Sequence, residues 1–355
     1  MSLLDTHTSQ GAAVAPDGIP LHFGDLKIEY KAALENAVIM DRSHEGRLEA
    51  RGRDRFNLIH RISTNDVLKM ASGEGRPTIF TNATGRIIDR IMLYDRGETA
   101  LVSTEAGRGN AVLNYLQRQI FFNDEASFMD LASSTHQFVL HGPKADSVVD
   151  AWVPGASRLP DLHGINVTFA DAQVFLARRK PVSGAHWAIV VPLEQAEQVW
   201  LKILDQGAAF GLKPAGSLTY NALRIRAGRP AAGHELTQDF IPLEAGLWDE
   251  VSFTKGCYTG QEIIARMESR SRLAKTMAQM RLTGFIEAPQ TLYVDGKPVG
   301  TLTSSVQTPD NEILGIGFVK VAVAVPEQTF VVGETSIQAV LTELAGTQPP
   351  QLVEN

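Results

Sequence analysis

Leu48-Glu49-Ala50-Arg51-Gly52 reads as a short strand closed by a glycine turn, and Arg53-Asp54-Arg55-Phe56-Asn57-Leu58-Ile59-His60-Arg61-Ile62 follows with helical spacing. Phe56, Ile59 and His60 fall on one side of that helix. Downstream, Thr78 to Ala83 and Arg86 to Tyr94 are apolar-rich runs separated by Thr84-Gly85, the pattern of a hairpin. Thr99 to Ser103 adds a strand, and Asn110 to Ile120 a helix with Val112, Leu113, Leu116 and Ile120 inward.

The same order returns. Phe138 to His141 reads as a strand, Gly142 as a turn, Lys144 to Val153 as a helix, Gln173 to Arg178 and His186 to Val191 as strands, and Glu194 to Asp205 as a helix. The spacing from Leu48 to Thr99 and from Phe138 to His186 is about 50 residues in each case, with the halves offset by about 90. This predicts two copies of a split strand-helix-strand unit in an α+β fold, helices covering one face of an antiparallel sheet. From Gln279 onward the pattern changes to strands: Met280 to Leu282, Thr291 to Val294, Val299 to Thr301, Ile313 to Val321, Phe330 to Val332 and Ile337 to Leu341, with Asp295-Gly296 as a turn. These predict a separate C-terminal antiparallel β-barrel. The expected division is a loose leader over 1–21, α+β domains over 22–134 and 135–277, a barrel over 278–345 and a mobile tail over 346–355.

A charge of -7, 44% apolar and 21% charged residues describe an ordinary globular chain and disfavour general nucleic-acid binding. No apolar run is long enough to span a bilayer, and the start lacks the pattern of an export signal. Cytoplasmic residence is expected. The single cysteine, Cys257, excludes an internal disulfide and a metal or cluster site built from several thiolates of this chain. There is no glycine-rich nucleotide loop, nucleophile-elbow serine or histidine metal triad.

The irregular run from Gly228 to Thr259 is long for a compact protein, and a helix follows it. At its end stands Lys255-Gly256-Cys257-Tyr258-Thr259-Gly260-Gln261-Glu262-Ile263-Ile264-Ala265-Arg266. Thr259 and Glu262 are spaced as a capping box, predicting a helix immediately after Thr259. Cys257 would then lie by a helix N-terminus with Lys255 close by, both favouring a thiolate; a small apolar cap residue is the plainer alternative. Arg266, Arg270, Arg272 and Lys275 extend a positive stripe that could receive an acidic group or be an ordinary charge-laced face.

Asp89 is the second candidate. Period-two alternation places it with Ile87, Ile91 and Leu93, so a carboxylate should sit among apolar side chains. Such a group must accept hydrogen bonds or pair with a cation, here a ligand amine or one of many arginines. Arg42, Arg47, Arg51, Arg53 and Arg55 gather near His44 as a solvated surface or a phosphate contact.

The Lys255 to Glu262 run resembles the signature of the YgfZ family. Asp41-Arg42-Ser43-His44 and Ser63-Thr64-Asn65-Asp66-Val67 resemble N-terminal segments shared by that family and the glycine-cleavage T-proteins. Asn221 to Gly228 and Pro242-Leu243-Glu244-Ala245-Gly246-Leu247 resemble their shared middle segments. The resemblance, over residues 22 to 341, implies a duplicated ferredoxin-like folate-binding region in a ring-like arrangement with the barrel, and tetrahydrofolate or a one-carbon derivative as cofactor. It implies Cys257 and Asp89 as the catalytic pair, and Asp89, Arg224, Arg226, Glu244, Tyr258, Gln261 and Arg266 as cofactor-binding residues. Asp89 matches the first of two adjacent aspartates of T-proteins; Arg90 replaces the second, Arg86 replaces a glycine, and Arg226 stands where glutamate is usual. The implied function is a folate-dependent accessory role in assembly or repair of iron–sulfur enzymes, with those enzymes or assembly proteins as partners. An aminomethyltransferase acting on a lipoyl-bound group is the alternative, and a non-enzymatic folate or pteridine sensor the third. Whether the chain turns over a substrate stays open.

Overall fold

The computed structural model describes residues 2–269 and 273–349. Arg270 and Arg272 of the expected basic stripe, and residues 350–355 of the expected mobile tail, lie outside the described residues. Helix α1 (Leu3–Ser9), strands β1 (Ala13–Val14) and β2 (Pro20–His22), and α2 (Leu26–Glu35) lead into β3 (Ala37–Asp41). The first repeat is β4 (Glu45–Arg51), α3 (Arg55–Ile62), β5 (Gly75–Thr81), β6 (Ile87–Asp95), β7 (Ala100–Ala106), α4 (Gly109–Arg118) and β8 (Ser127–Asp130). The second is β9 (Thr135–Gly142), α5 (Ala145–Trp152), β10 (Gly164–Phe169), β11 (Ala172–Arg179), β12 (Ala185–Pro192), α6 (Ala196–Gly207) and β13 (Leu212–Pro214). Then come α7 (Ser217–Arg226), α8 (Gln261–Ser269) and six strands, β14 (Lys275–Leu282), β15 (Gln290–Val294), β16 (Lys297–Gln307), β17 (Ile313–Lys320), β18 (Thr329–Val332) and β19 (Gln338–Leu344).

The duplication is visible in the strand orders. One sheet runs β5-β6-β7-β4-β8 and the other β10-β11-β12-β9-β3-β13, the same order with β3 inserted. The last six strands close into a barrel, β14-β17-β16-β15-β18-β19, every pair antiparallel. Asp295 and Gly296 both have positive φ, as a tight turn between twisted strands requires. Leu292, Leu302, Phe330 and Leu341 fill the barrel core. Under the six-stranded sheet, Phe138, Leu140, Trp187 and Ile189 pack on Val148 and Val149 of α5 and on Trp200 and Ile203 of α6.

By contact the chain forms two compact units, Met1–Arg55 with Lys69–Arg76 and Met92–Leu223, and Phe56–Leu68 with Pro77–Ile91 and Arg224–Asn355. They interleave along the chain, which boundaries drawn in sequence order do not express.

Two local expectations are corrected. The core side of α3 is Leu58, Ile59 and Ile62, because Phe56 and His60 lie only part-buried on the flank. The start of the chain is no loose leader: Ser2 and Asp5 cap α1 reciprocally, Leu3 and His7 are buried, and Thr6 bonds Glu197. His7 Nε2 lies 3.1 Å from Asp41 Oδ2, so a short polar-looking helix is held by a buried carboxylate the apolar pattern cannot reveal.

Nearby, Glu45 is buried with Arg42 Nε at 2.9 Å and an Arg179 guanidinium nitrogen at 3.1 Å. Burial pushes its carboxyl up, but Arg42 and Arg179 outweigh burial and hold it at about 2 against the ordinary 4.5. A carboxylate depressed in the native state stabilises it above the unfolded pKa, and that contribution vanishes as pH falls through the folded pKa. Glu45→Gln should therefore be less stable than the native sequence at neutral pH by roughly 3 kcal/mol. The gap should narrow between pH 4.5 and about 2. Urea titrations across that range measure it.

Candidate functional site

Strand β6 alternates as expected over its first half: Ile87, Asp89 and Ile91 are buried, and Ile88 and Arg90 are part-exposed. Asp89 is 5% exposed. On the opposite face Arg90 makes a bidentate pair with Glu250, Nε and a terminal nitrogen each 2.7 Å from a carboxylate oxygen. Glu250 is 1% exposed, so this is a buried, fork-matched ion pair. Sequence reasoning missed Glu250; its one signal is the acidic pair Asp249-Glu250 set between Leu247-Trp248 and Val251. Arg86 reaches the Asp239 carbonyl at 2.6 Å and Glu244 at 3.3 Å. Burial raises the Glu244 carboxyl above its ordinary value, although the Ile241 amide and Arg86 pull the other way.

The β5–β6 hairpin meets the thiol loop directly. Thr81 Oγ1 donates to the Thr259 carbonyl at 2.6 Å. A Cβ on Gly260 would lie 2.5 Å from the Asn82 carbonyl oxygen and 2.8 Å from Gly85 Cα, and Gly260 has φ +85°. Glycine is required there twice, by space and by conformation. Helix α8 begins at Gln261, and the Ile264 amide bonds the Gly260 carbonyl, so the cap falls on Gly260 one residue later than Thr259. The positive φ at Gly260 turns the chain away from the geometry a Thr259 capping box needs.

Lys255 is buried, and its ammonium donates to the carbonyls of His60, Ser63 (2.7 Å) and Asn65 (2.9 Å). All three of its N–H donors therefore have acceptors around the end of α3. Burial lowers Lys255 to about 8, with Asp66 opposing, so it is protonated at neutral pH. Lys255 thus fastens the loop, where the sequence had suggested a charge acting on the thiol. Thr64 completes the fastening: its hydroxyl donates to Glu250 O at 2.7 Å and accepts from the Ile79 amide at 3.1 Å. Between these anchors Cys257 is exposed, and a Cβ on Gly256 would touch nothing within 4 Å.

The remaining candidates separate. Tyr258 is buried with Ile241, Leu243 and Ile264, and burial pushes its hydroxyl up to about 12. The Gln261 amide bonds the Tyr258 carbonyl, while Arg266 is exposed on α8. Arg224 bonds Glu235 and Ser304 (3.3 and 3.0 Å), and Glu235, fully buried, also accepts from Thr303 and the Ala231 amide. Arg226 pairs with Asp310 and Glu312 between β16 and β17. Both arginines thus have protein carboxylates as partners. Among the described residues no group of three or more His, Cys, Asp or Glu could hold a metal ion.

A repeated α+β region followed by a closed antiparallel barrel is a fold with known members. Residues 3–255 match the family described as the GCVT N-terminal domain, and the chain belongs to that family. A chloroplastic protein of Arabidopsis thaliana carrying a provisional transferase name is 30% identical, over 98% of this chain and 80% of its own. An aminomethyltransferase of Halalkalibacterium halodurans is 27% identical over 86% of each chain. The crystal structure of the glycine cleavage system aminomethyltransferase T from Bartonella henselae has the same fold, with TM-score 0.83, 22% identity and coverage of 97% of this chain and 96% of that one.

The two glycines flanking the thiol should behave oppositely. Gly260→Ala is expected to cost about 2 kcal/mol or more, whereas Gly256→Ala, with open space and ordinary backbone, should stay within about 0.5 kcal/mol. Chemical denaturation of both variants checks this.

Proposed function

We propose that this protein binds tetrahydrofolate or a one-carbon derivative against the Asp89 face and uses the Cys257 thiol in assembly or repair of iron–sulfur enzymes. The observation that carries the reading is an exposed thiol on a loop fastened on both sides, by Lys255 before it and by Thr259 and Gly260 after it. Structural cysteines are usually buried and behave as small apolar groups. Rigid fastening of an exposed one presents the sulfur to a partner at a fixed position. The fastening runs to the hairpin that carries Asp89, which gives ligand face and thiol a common support.

The residues fit a pterin better than they fit a polyanionic tail. A buried carboxylate such as Asp89 supplies acceptors for ring N–H groups, and Tyr258, Gln261 and Glu244 stand on the elements fastened to its hairpin. Arg224 and Arg226 are paired internally, and a glutamate tail would reach solvent on the side of α8, where Arg266 is exposed. Bound folate would supply one-carbon chemistry; this chain's part is to orient it and hold the sulfur. One thiolate cannot own a cluster, so any iron–sulfur cargo is shared with another protein.

Aminomethyl transfer is the second reading, favoured by the names of the relatives and by the burial of Asp89. Asp89 would then orient the accepting nitrogen and stabilise charge on it. The test is iron–sulfur enzyme activity in extracts of cells lacking this protein and supplied with native or Cys257→Ala chain, alongside aminomethyl transfer by the purified variants. The proposal expects native chain to restore the enzymes and Cys257→Ala to fail with its fold intact. Restoration by Cys257→Ala would remove the thiol from the account and leave the sensor reading, while transfer activity that survives the substitution but not Asp89→Asn would select the second reading.

A further inference from the structure

Away from the hairpin and thiol loop lies a cleft of about 380 Å³ bordered by Arg96, Asn166, Phe175, Asp95, Ile165 and His163. Its size is within the range of small-molecule sites. Its walls are fastened to one another through the backbone: the Gly164 amide bonds the Gly73 carbonyl at 2.8 Å, and the Gly73 amide bonds the Asp95 carbonyl at 2.9 Å. Phe175 is held edge-on by Tyr94, centroids 5.3 Å apart, and a Cβ on Gly164 would collide with its ring. The cleft therefore exists before any ligand arrives.

Arg96 is the group that calls for one. Its guanidinium stands 5.1 Å over the Phe175 ring and gives one terminal nitrogen to Asn166 Oδ1 at 3.1 Å. Its Nε is buried and has no acceptor, and among the described residues no carboxylate lies within ion-pair distance of it. Burial pulls Arg96 below its ordinary value, only Glu49 opposing, and Glu49 is paired with Arg51. A guanidinium carries five donors, and a part-buried cation with no anion beside it is stabilised when something supplies one. Asp95, the acidic side chain of the lining, has Oδ1 engaged by the Gly97 amide at 2.8 Å. Its charge still opposes a dianion, which selects for a single negative charge.

We propose that this cleft binds a small monoanionic carboxylate with a flat apolar body. The carboxylate would accept from the Arg96 guanidinium where it borders the cleft, in the charge-assisted geometry guanidinium favours, and the body would lie along Phe175 and Ile165. None of the residues assigned to the folate face or the thiol loop takes part, so the site stands or falls independently of the proposed function.

Calorimetric titration of the full chain with sodium benzoate, benzamide and inorganic phosphate tests it. Benzoate should bind saturably with a dissociation constant on the order of millimolar, as few heavy atoms allow. Benzamide, the neutral isostere, and phosphate, which lacks the apolar body, should each bind at least about tenfold more weakly, and Arg96→Gln should weaken benzoate by about tenfold or more. The benzamide comparison uses the native chain and is independent of whether the variant folds. Absence of saturable benzoate binding, equal binding of benzamide, equal binding of phosphate, or benzoate binding unchanged in Arg96→Gln would each overturn the assignment.

Discussion

The candidate site depends on two backbones approaching where no side chain fits. Gly260 and Gly85 meet with Cα and carbonyl atoms in contact, and only this approach lets Thr81 reach the Thr259 carbonyl. From that contact the rest follows: α8 starts at Gln261, Tyr258 turns into the small core of Ile241, Leu243 and Ile264, and Cys257 is left outside. Lys255 then holds the other side of the loop on three carbonyls. Hydrogen bonds from a charged donor contribute roughly 1.5–3 kcal/mol each, so the three carbonyls offset part of the cost of burying the ammonium, whose pKa still falls to about 8.

The second constraint is charge. Three arginines that the resemblance sets against a glycine, an aspartate and a glutamate each have an acidic partner: Arg86 with Glu244, Arg90 with Glu250, Arg226 with Asp310 and Glu312. The added positive charge is therefore met locally by acids of this chain. Breaking the Arg90–Glu250 pair would leave a carboxylate 1% exposed without its cation, which ties that arginine to the fold.

Strong periodicity made the α+β repeat, the barrel and the burial of Asp89 legible in the sequence; the strand alternation at Ile87, Asp89 and Ile91 is local and needs no partner. The position of Cys257 before a helix was legible from the Thr259–Glu262 spacing, although the cap falls on Gly260, which packs on a hairpin far away in the chain. What was illegible is long-range polar pairing. Nothing near Lys255 says that its acceptors are the carbonyls of His60, Ser63 and Asn65, and nothing near Arg226 says that its acids lie at 310 and 312. The helix at Leu3–Ser9 escaped because its anchor, His7 on Asp41, is polar and remote.

The most direct measurement of the central claim is tetrahydrofolate binding by calorimetry under anaerobic reducing conditions, for the native chain, Asp89→Asn and Cys257→Ala. A ligand face on β6 with a separately presented thiol requires micromolar binding by the native chain, loss in Asp89→Asn and retention in Cys257→Ala. Absence of binding by the native chain, or binding indifferent to Asp89→Asn, would contradict it.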